Sequence, residues 1–153
     1  LEVSCGDGKL ASALAAEGYD VTGIDASADM ISAAKNFEKD NLHFFVHDIR
    51  LPFHINYFDV AFNVFSALGN FRTERKRYNA IRTIANSIKH EGWLLMDADN
   101  KEQLETRAKL TLGDFNDMFA FHHLQVQEVY GDYSSGPYDV KKSPRLILIA
   151  RKK

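Results

Sequence analysis

"LEVSCGDGKLASALAAEGYDVTGID", residues 1–25, carries the reading on which the fold depends. Leu1 to Ser4 is short, apolar and extended. Gly6 and Gly8 then bracket a turn, where positive φ or close backbone approach is easiest for glycine. From Lys9 to Glu17, Leu10, Ala13 and Leu14 fall at helical spacing on one face, and Gly18 supplies the stop. "YDVTGID" reads as a second strand that ends on an acid, Asp25. A strand, a Gly-x-Gly turn, a helix and a strand closed by a carboxylate form a layout suited to a nucleotide-shaped cofactor.

Outward from this unit the rhythm continues. Ser27 is placed to cap a helix reaching about Glu38 that buries Met30, Ile31, Ala34 and Phe37. "NLHFFVHD" reads as strand three and Phe58 to Asn63 as strand four. Between Thr73 and Lys89, Tyr78, Ile81, Ile84, Ala85 and Ile88 share one helical stripe, and "GWLLMDADN" makes strand five. Strands alternating with helices argue for a mostly parallel sheet covered on both faces. The end departs from that pattern. "LQVQEVYGDY" and "SPRLILIARKK" are separated by too few residues for a crossover helix, so they are expected to pair as a hairpin and bring an antiparallel strand into the sheet.

The chain has 153 residues, of which 45% are apolar and 26% charged, enough to bury one core. A single domain over 1–153 is expected. Because Leu1 already lies in the first strand, a preceding segment is expected as well. A formal charge of −2 gives no general attraction to phosphate backbones, so nucleic acid is a disfavoured partner. No run is long and apolar enough for a membrane span and no leader is visible, which makes a cytoplasmic address the expectation. Cys5 is the single cysteine, and the six histidines, His122 and His123 among them, lack metal-ligand spacing, so no metal is expected. Nothing in the pattern speaks to oligomeric state.

Two cofactors compete for the opening unit. Gly6-x-Gly8-x-x-Ala11 followed by Asp25 satisfies the dinucleotide fingerprint, which leaves an NAD-dependent oxidoreductase open. Three features weigh the other way. Glu2, inside strand one, could reach a cationic amino group but would repel a nearby pyrophosphate. Asp48 closes strand three, where it could accept a hydrogen bond from an adenine amino group. The terminal hairpin differs from an all-parallel dinucleotide sheet.

Together these segments resemble the class I S-adenosylmethionine-dependent methyltransferases. In order, "LEVSCGDG", "VTGID", "FFVHDIRLPF", "FDVAFNVFSALGNF" and "GWLLMDADN" are similar to that family's successive motifs, and the closing "YGDYSSGPYDVKKSPRLILIARK" is similar to the end of its small-molecule members. The resemblance implies a Rossmann-like α/β fold with sheet order 3-2-1-4-5-7-6, strand seven antiparallel and helices on both faces. It also implies S-adenosyl-L-methionine as cofactor. Gly6 and Gly8 would let the backbone approach its methionine part, and Glu2 would hold its ammonium. Asp25 would accept the ribose hydroxyls. Met30 or Ala26 would lie against the adenine, with Asp48 and the Ile49 backbone reading its edge, while Asn63 and Val64 would border the transferable methyl. Ser4 departs from the pattern, standing where the family often has glycine.

The implied chemistry is in-line methyl transfer, which depends chiefly on alignment and exclusion of water; a general base is optional. Candidates near the strand tips are Tyr138, Asp97 and Asn100, with Asp99, Tyr133 and His54 behind them. "NVFS" at 63–66 is not the Asn/Asp-Pro-Pro-aromatic motif of amino-methylating nucleic-acid enzymes, and Cys5 is not proposed as a nucleophile. A small-molecule acceptor is therefore expected, with Phe65, Leu68, Phe71 and Tyr78 as an apolar rim. Between strand five and the end hairpin, "KEQLETRAKLTLGDFNDMFAFHH" is short for an acceptor-covering roof, so either the site is open or a lid lies outside the sequence. A non-catalytic domain that binds adenosylmethionine or a protein partner is the other reading the sequence leaves open.

Overall fold

A computed structural model of the chain describes residues 1–64, 67–100 and 110–153. Its elements in order are β1 (Glu2–Val3), α1 (Lys9–Ala16), β2 (Val21–Asp25), α2 (Ala28–Ala34), β3 (Leu42–Val46), β4 (Phe58–Asn63), α3 (Glu74–Ser87), β5 (Ile88–Asp99), α4 (Leu112–Phe121), β6 (Leu124–Tyr130) and β7 (Arg145–Lys152). The seven strands form one sheet in the order β3-β2-β1-β4-β5-β7-β6. Pairing is parallel from β3 through β5, and β7 runs antiparallel to both β5 and β6. The hairpin read from the sequence thus supplies the antiparallel strand, with β7 inserted between β5 and β6.

Because strand residues alternate between faces, the sheet divides its apolar side chains into two clusters. Val21, Leu42 and Phe44 pack with Ala11, Ala15, Ile31 and Ala34 of α1 and α2. Val3, Ile24, Leu94, Met96, Leu146 and Leu148 pack with Ile81, Ile84, Phe115 and Phe119 of α3 and α4. On the α1 side, the part of the sheet formed by β4 and β5 leaves Val60 and Trp93 exposed, and Arg151 lies 5.5 Å from the Trp93 ring centroid.

Local chemistry explains where the helices begin. The Ser27 hydroxyl accepts from the Met30 amide, and Thr73 does the same from Lys76. At α4, Thr111 and Asp114 form a reciprocal capping box. The buried face of α1 is one residue off the sequence expectation: Ala11 and Ala15 are inside, whereas Leu10 and Ala13 are exposed. Small residues win that face because the helix lies close to the sheet; a Cβ on Gly8 would stand 2.6 Å from the Phe44 ring. In α2, Ile31 and Ala34 are buried and Met30 is exposed, while Phe37, also exposed, lies past the helix end at Ala34 in a 3-10 turn over Lys35–Phe37.

Candidate functional site

The carboxyl ends of β3, β2, β1 and β4 lie side by side, and most of the residues singled out in the sequence gather there. At β1 the chain turns sharply. Ser4, Gly6 and Gly8 all have positive φ, at 59°, 55° and 78°. The two glycines serve different ends. A Cβ on Gly6 would meet nothing within 4 Å, so its surface opens to free space, whereas Gly8 is packed beneath Phe44 and Ala34. Gly6 is thus the position where another group can come against the backbone, and Gly8 the one that lets α1 settle on the sheet.

Asp25, at the tip of β2, is held by backbone donors. Its Oδ2 accepts from the Gly6 amide at 3.0 Å and its Oδ1 from the Ser27 amide at 2.8 Å. A carboxylate oxygen can accept more than once, so both atoms retain acceptor capacity in a fixed orientation. Ala26 and the exposed Met30 follow directly on the same side.

Glu2 is 3% exposed, and its Oε2 is buried with no hydrogen-bond partner among the described residues. Burial raises its pKa to about 7, opposed by the Ala11 amide and reinforced by Asp7 and Asp25. An unsatisfied buried carboxylate is a cost that a cationic ligand group would remove. The donor set therefore fits the ammonium of an amino-acid moiety. Asn63, at the tip of β4, shows a milder form of the same condition. Its Nδ2 donates to the Val3 carbonyl at 2.8 Å, while its Oδ1 is buried and unpartnered among the described residues. The amide is fixed by that donation, since a carbonyl can only accept. Asn63 lines a small open pocket with Val3, Ser4, Ile49, Leu68, Phe71 and Ile84. Val64 follows it half-buried.

Asp48, beyond β3, is engaged differently. The Arg50 guanidinium grips both of its oxygens and the Arg50 amide donates to Oδ1 at 2.9 Å. That grip lowers its pKa to about 2. Arg50 also lies 5.9 Å from the Phe71 ring centroid, so the side chain bridges β3's tip to the segment after β4. The Asp-x-Arg spacing was the available signal, and the sequence reading did not use it.

At the end of β5 the candidate bases are bound to neighbours. Asp97 is 1% exposed; Arg145 donates to both its oxygens, at 2.8 and 2.6 Å, and the Tyr133 hydroxyl donates at 2.8 Å. Arg145 also pairs with Asp99. Burial, with Asp97 alongside, raises the Tyr133 pKa to about 12. Tyr138 donates to Asn100 Oδ1 at 2.8 Å, and Asn100 Nδ2 donates to the carbonyls of Ser143 and Val140. These contacts fasten the β6–β7 connection to the end of β5. His54 lies away from the strand tips: the chain after β3 runs back to the start of β4, where His54 meets Phe58 and Tyr57. Burial pushes the Cys5 thiol up to about 12, which leaves it protonated and unreactive. Of the expected rim, Leu68 is core, Phe71 and Tyr78 pack against that core, and Phe65 lies outside the described residues, as does the stretch 101–109.

Residues 1–96, which span β1 through most of β5 and every cofactor-side group above, match the family model described as a methyltransferase domain. The chain belongs to this methyltransferase family. Its cofactor is S-adenosylmethionine, and membership removes the nicotinamide alternative. Among curated proteins, YqeM of Bacillus subtilis (strain 168), named as a methyltransferase, is 31% identical over 103 residues, covering 63% of this chain; the chain spans 40% of the length of YqeM. A TehB-like SAM-dependent methyltransferase from Corynebacterium glutamicum superposes with a TM-score of 0.86 at 20% identity over 99% of this chain and 78% of its own. An S-adenosylmethionine-dependent methyltransferase from Clostridium acetobutylicum gives 0.86 at 14% identity, over 99% and 82%. At such identities the two structures show a common fold. Among the described residues of this methyltransferase domain, no helix is long and apolar enough to cross a membrane.

Proposed function

We propose that this methyltransferase domain binds S-adenosylmethionine across the tips of β3, β2, β1 and β4 and carries out in-line methyl transfer to a small-molecule acceptor. The observation that supports it most is Glu2, whose Oε2 is buried on β1 with no hydrogen-bond partner among the described residues. In this reading Glu2 takes the amino-acid ammonium and Asp25, already oriented by two amides, accepts the ribose hydroxyls. Ala26 and Met30 border the adenine, with Asp48 and the Ile49 backbone at its edge. Because Arg50 holds Asp48, an adenine amine shares that carboxylate with the guanidinium. Asn63 and Val64 flank the methyl.

Bound S-adenosylmethionine supplies a sulfonium methyl whose transfer leaves a neutral thioether. The chain's own contribution is alignment and exclusion of water, effects that reach about 7–11 kcal/mol in favourable cases. Asp97, Asn100 and Tyr138 border the acceptor side and hold the β6–β7 connection in place, since each is already engaged with a neighbour. A small acceptor is favoured by the net charge of −2.

Calorimetry with S-adenosylhomocysteine and with NAD tests the reading. S-adenosylhomocysteine should bind and NAD should not, and Asp25→Asn should weaken S-adenosylhomocysteine by one to two decades, corresponding to about 1.5–3 kcal/mol for a hydrogen bond to a charged group. Binding of NAD alone would remove the proposal, and failure of a broad acceptor panel to yield methylated product would reduce it to a binding domain.

A further inference from the structure

Ser4 holds a left-handed backbone, φ 59°, at the tip of β1. Non-glycine residues avoid this region, and strain of this kind collects at functional sites. The same turn places glycine at two further positive-φ positions, Gly6 and Gly8, so the serine is not there for backbone freedom. Its side chain is exposed, it lines the same small pocket as Asn63, and no hydrogen bond to its hydroxyl is found among the described residues.

A second observation concerns the donors of the turn. A glycine turn ahead of a helix ordinarily offers backbone amides to an anionic group. Here four of them are used internally: Cys5 N donates to Ile24 O at 3.0 Å, Gly6 N to Asp25 Oδ2 at 3.0 Å, Gly8 N to Cys5 O at 3.0 Å and Lys9 N to Asp7 Oδ1 at 3.4 Å. Glu2 and Asn63 Oδ1 add acceptors and no donor. A ligand carboxylate arriving at β1 would meet few free amides and two carboxylates, Glu2 and Asp25. The Ser4 hydroxyl is a side-chain donor on that turn with no hydrogen-bond partner among the described residues.

Strand order decides which part of the cofactor this is. With adenine at β3 and ribose at Asp25 on β2, the next strands along the sheet, β1 and β4, meet the amino-acid end. We propose that the Ser4 hydroxyl donates to the carboxylate of that end, making Ser4 a determinant of cofactor recognition in this chain. The proposal rests on the cofactor reading above.

The test uses two ligands and two variants of the chain. S-adenosylhomocysteine carries the amino-acid end and 5′-methylthioadenosine lacks it. Ser4→Ala removes the hydroxyl and keeps the strain; Ser4→Gly removes both. Each should weaken S-adenosylhomocysteine roughly tenfold and leave 5′-methylthioadenosine within about twofold. Ser4→Gly should also raise Tm by about 3 °C through relief of the left-handed strain, which separates a ligand role from a fold role. Unchanged S-adenosylhomocysteine binding in both variants, or equal losses for the two ligands, would overturn the assignment of Ser4 while leaving the cofactor reading intact. Failure of the unmodified chain to bind S-adenosylhomocysteine would overturn both.

Discussion

Two acids are buried in the same sheet and could hardly be treated more differently. Asp97 on β5 receives Arg145 on both oxygens and Tyr133 on one, so its burial is answered within the fold. Glu2 on β1 is almost as deeply buried, yet one of its oxygens faces no donor among the described residues and its pKa is pushed up to about 7. Buried charge is tolerated where the chain supplies a partner and is a liability where it does not. The contrast separates the two acids better than burial or residue type does: the saturated one joins β5 to β7 and the β6–β7 connection, and the other keeps an oxygen without a donor among the described residues.

Removing the saturated acid should have the largest effect on stability. Asp97→Ala leaves Arg145 without its bidentate acceptor and should cost about 3 kcal/mol in urea unfolding. A loss under about 1 kcal/mol would show that Asp99 alone suffices and would weaken the contrast. For Glu2 the sign reverses. Glu2→Gln removes the buried charge and should raise unfolding free energy at pH 8 by on the order of 2 kcal/mol, while weakening S-adenosylhomocysteine in calorimetry.

The pH dependence sharpens the same point. Folding raises the Glu2 pKa from 4.5 to about 7, so the folded state holds the extra proton between those values and stability falls as pH rises through that window. Affinity for S-adenosylhomocysteine should move oppositely, weakening as pH drops below about 7, because the ammonium needs the ionised carboxylate. In Glu2→Gln both slopes should flatten; a persisting slope would assign the proton to another group, with Asp7 and Asp25 the nearest acids. A smaller effect distinguishes the two glycines. Gly8→Ala meets the Phe44 ring and should cost about 2 kcal/mol of stability, whereas Gly6→Ala meets open space and should cost about 1 kcal/mol while obstructing the ligand. Thermal unfolding and calorimetry on both variants measure the difference.

The strand-helix rhythm was legible because apolar periodicity depends on the nearest layer of packing. β4 was placed from Phe58 to Asn63, and Ser27 and Thr73 cap the helices they introduce. The strand-tip positions of Asp25 and Asn63 were legible for the same reason, since a strand's end fixes where its last side chains lie. Other features depend on distant partners. The capture of Asp97 by Arg145 joins residues on two strands whose antiparallel register, Asp97 opposite Ile147, no local pattern specifies. The buried face of α1 was misread because a larger apolar residue, Leu10, lost to alanines that allow closer approach. Nor does composition disclose that Ser4 bends the wrong way for a serine, or that Arg50 occupies Asp48.

The placement of β7 has a consequence for assembly. β6 touches the sheet through β7, a strand that follows it in the chain, and β7 in turn is seated against β5. Until β7 threads into the gap, β6 has nowhere to dock. A cut anywhere between them, or a lesion that keeps β7 out, would therefore unseat two strands together and expose β5 as a raw edge open to self-association.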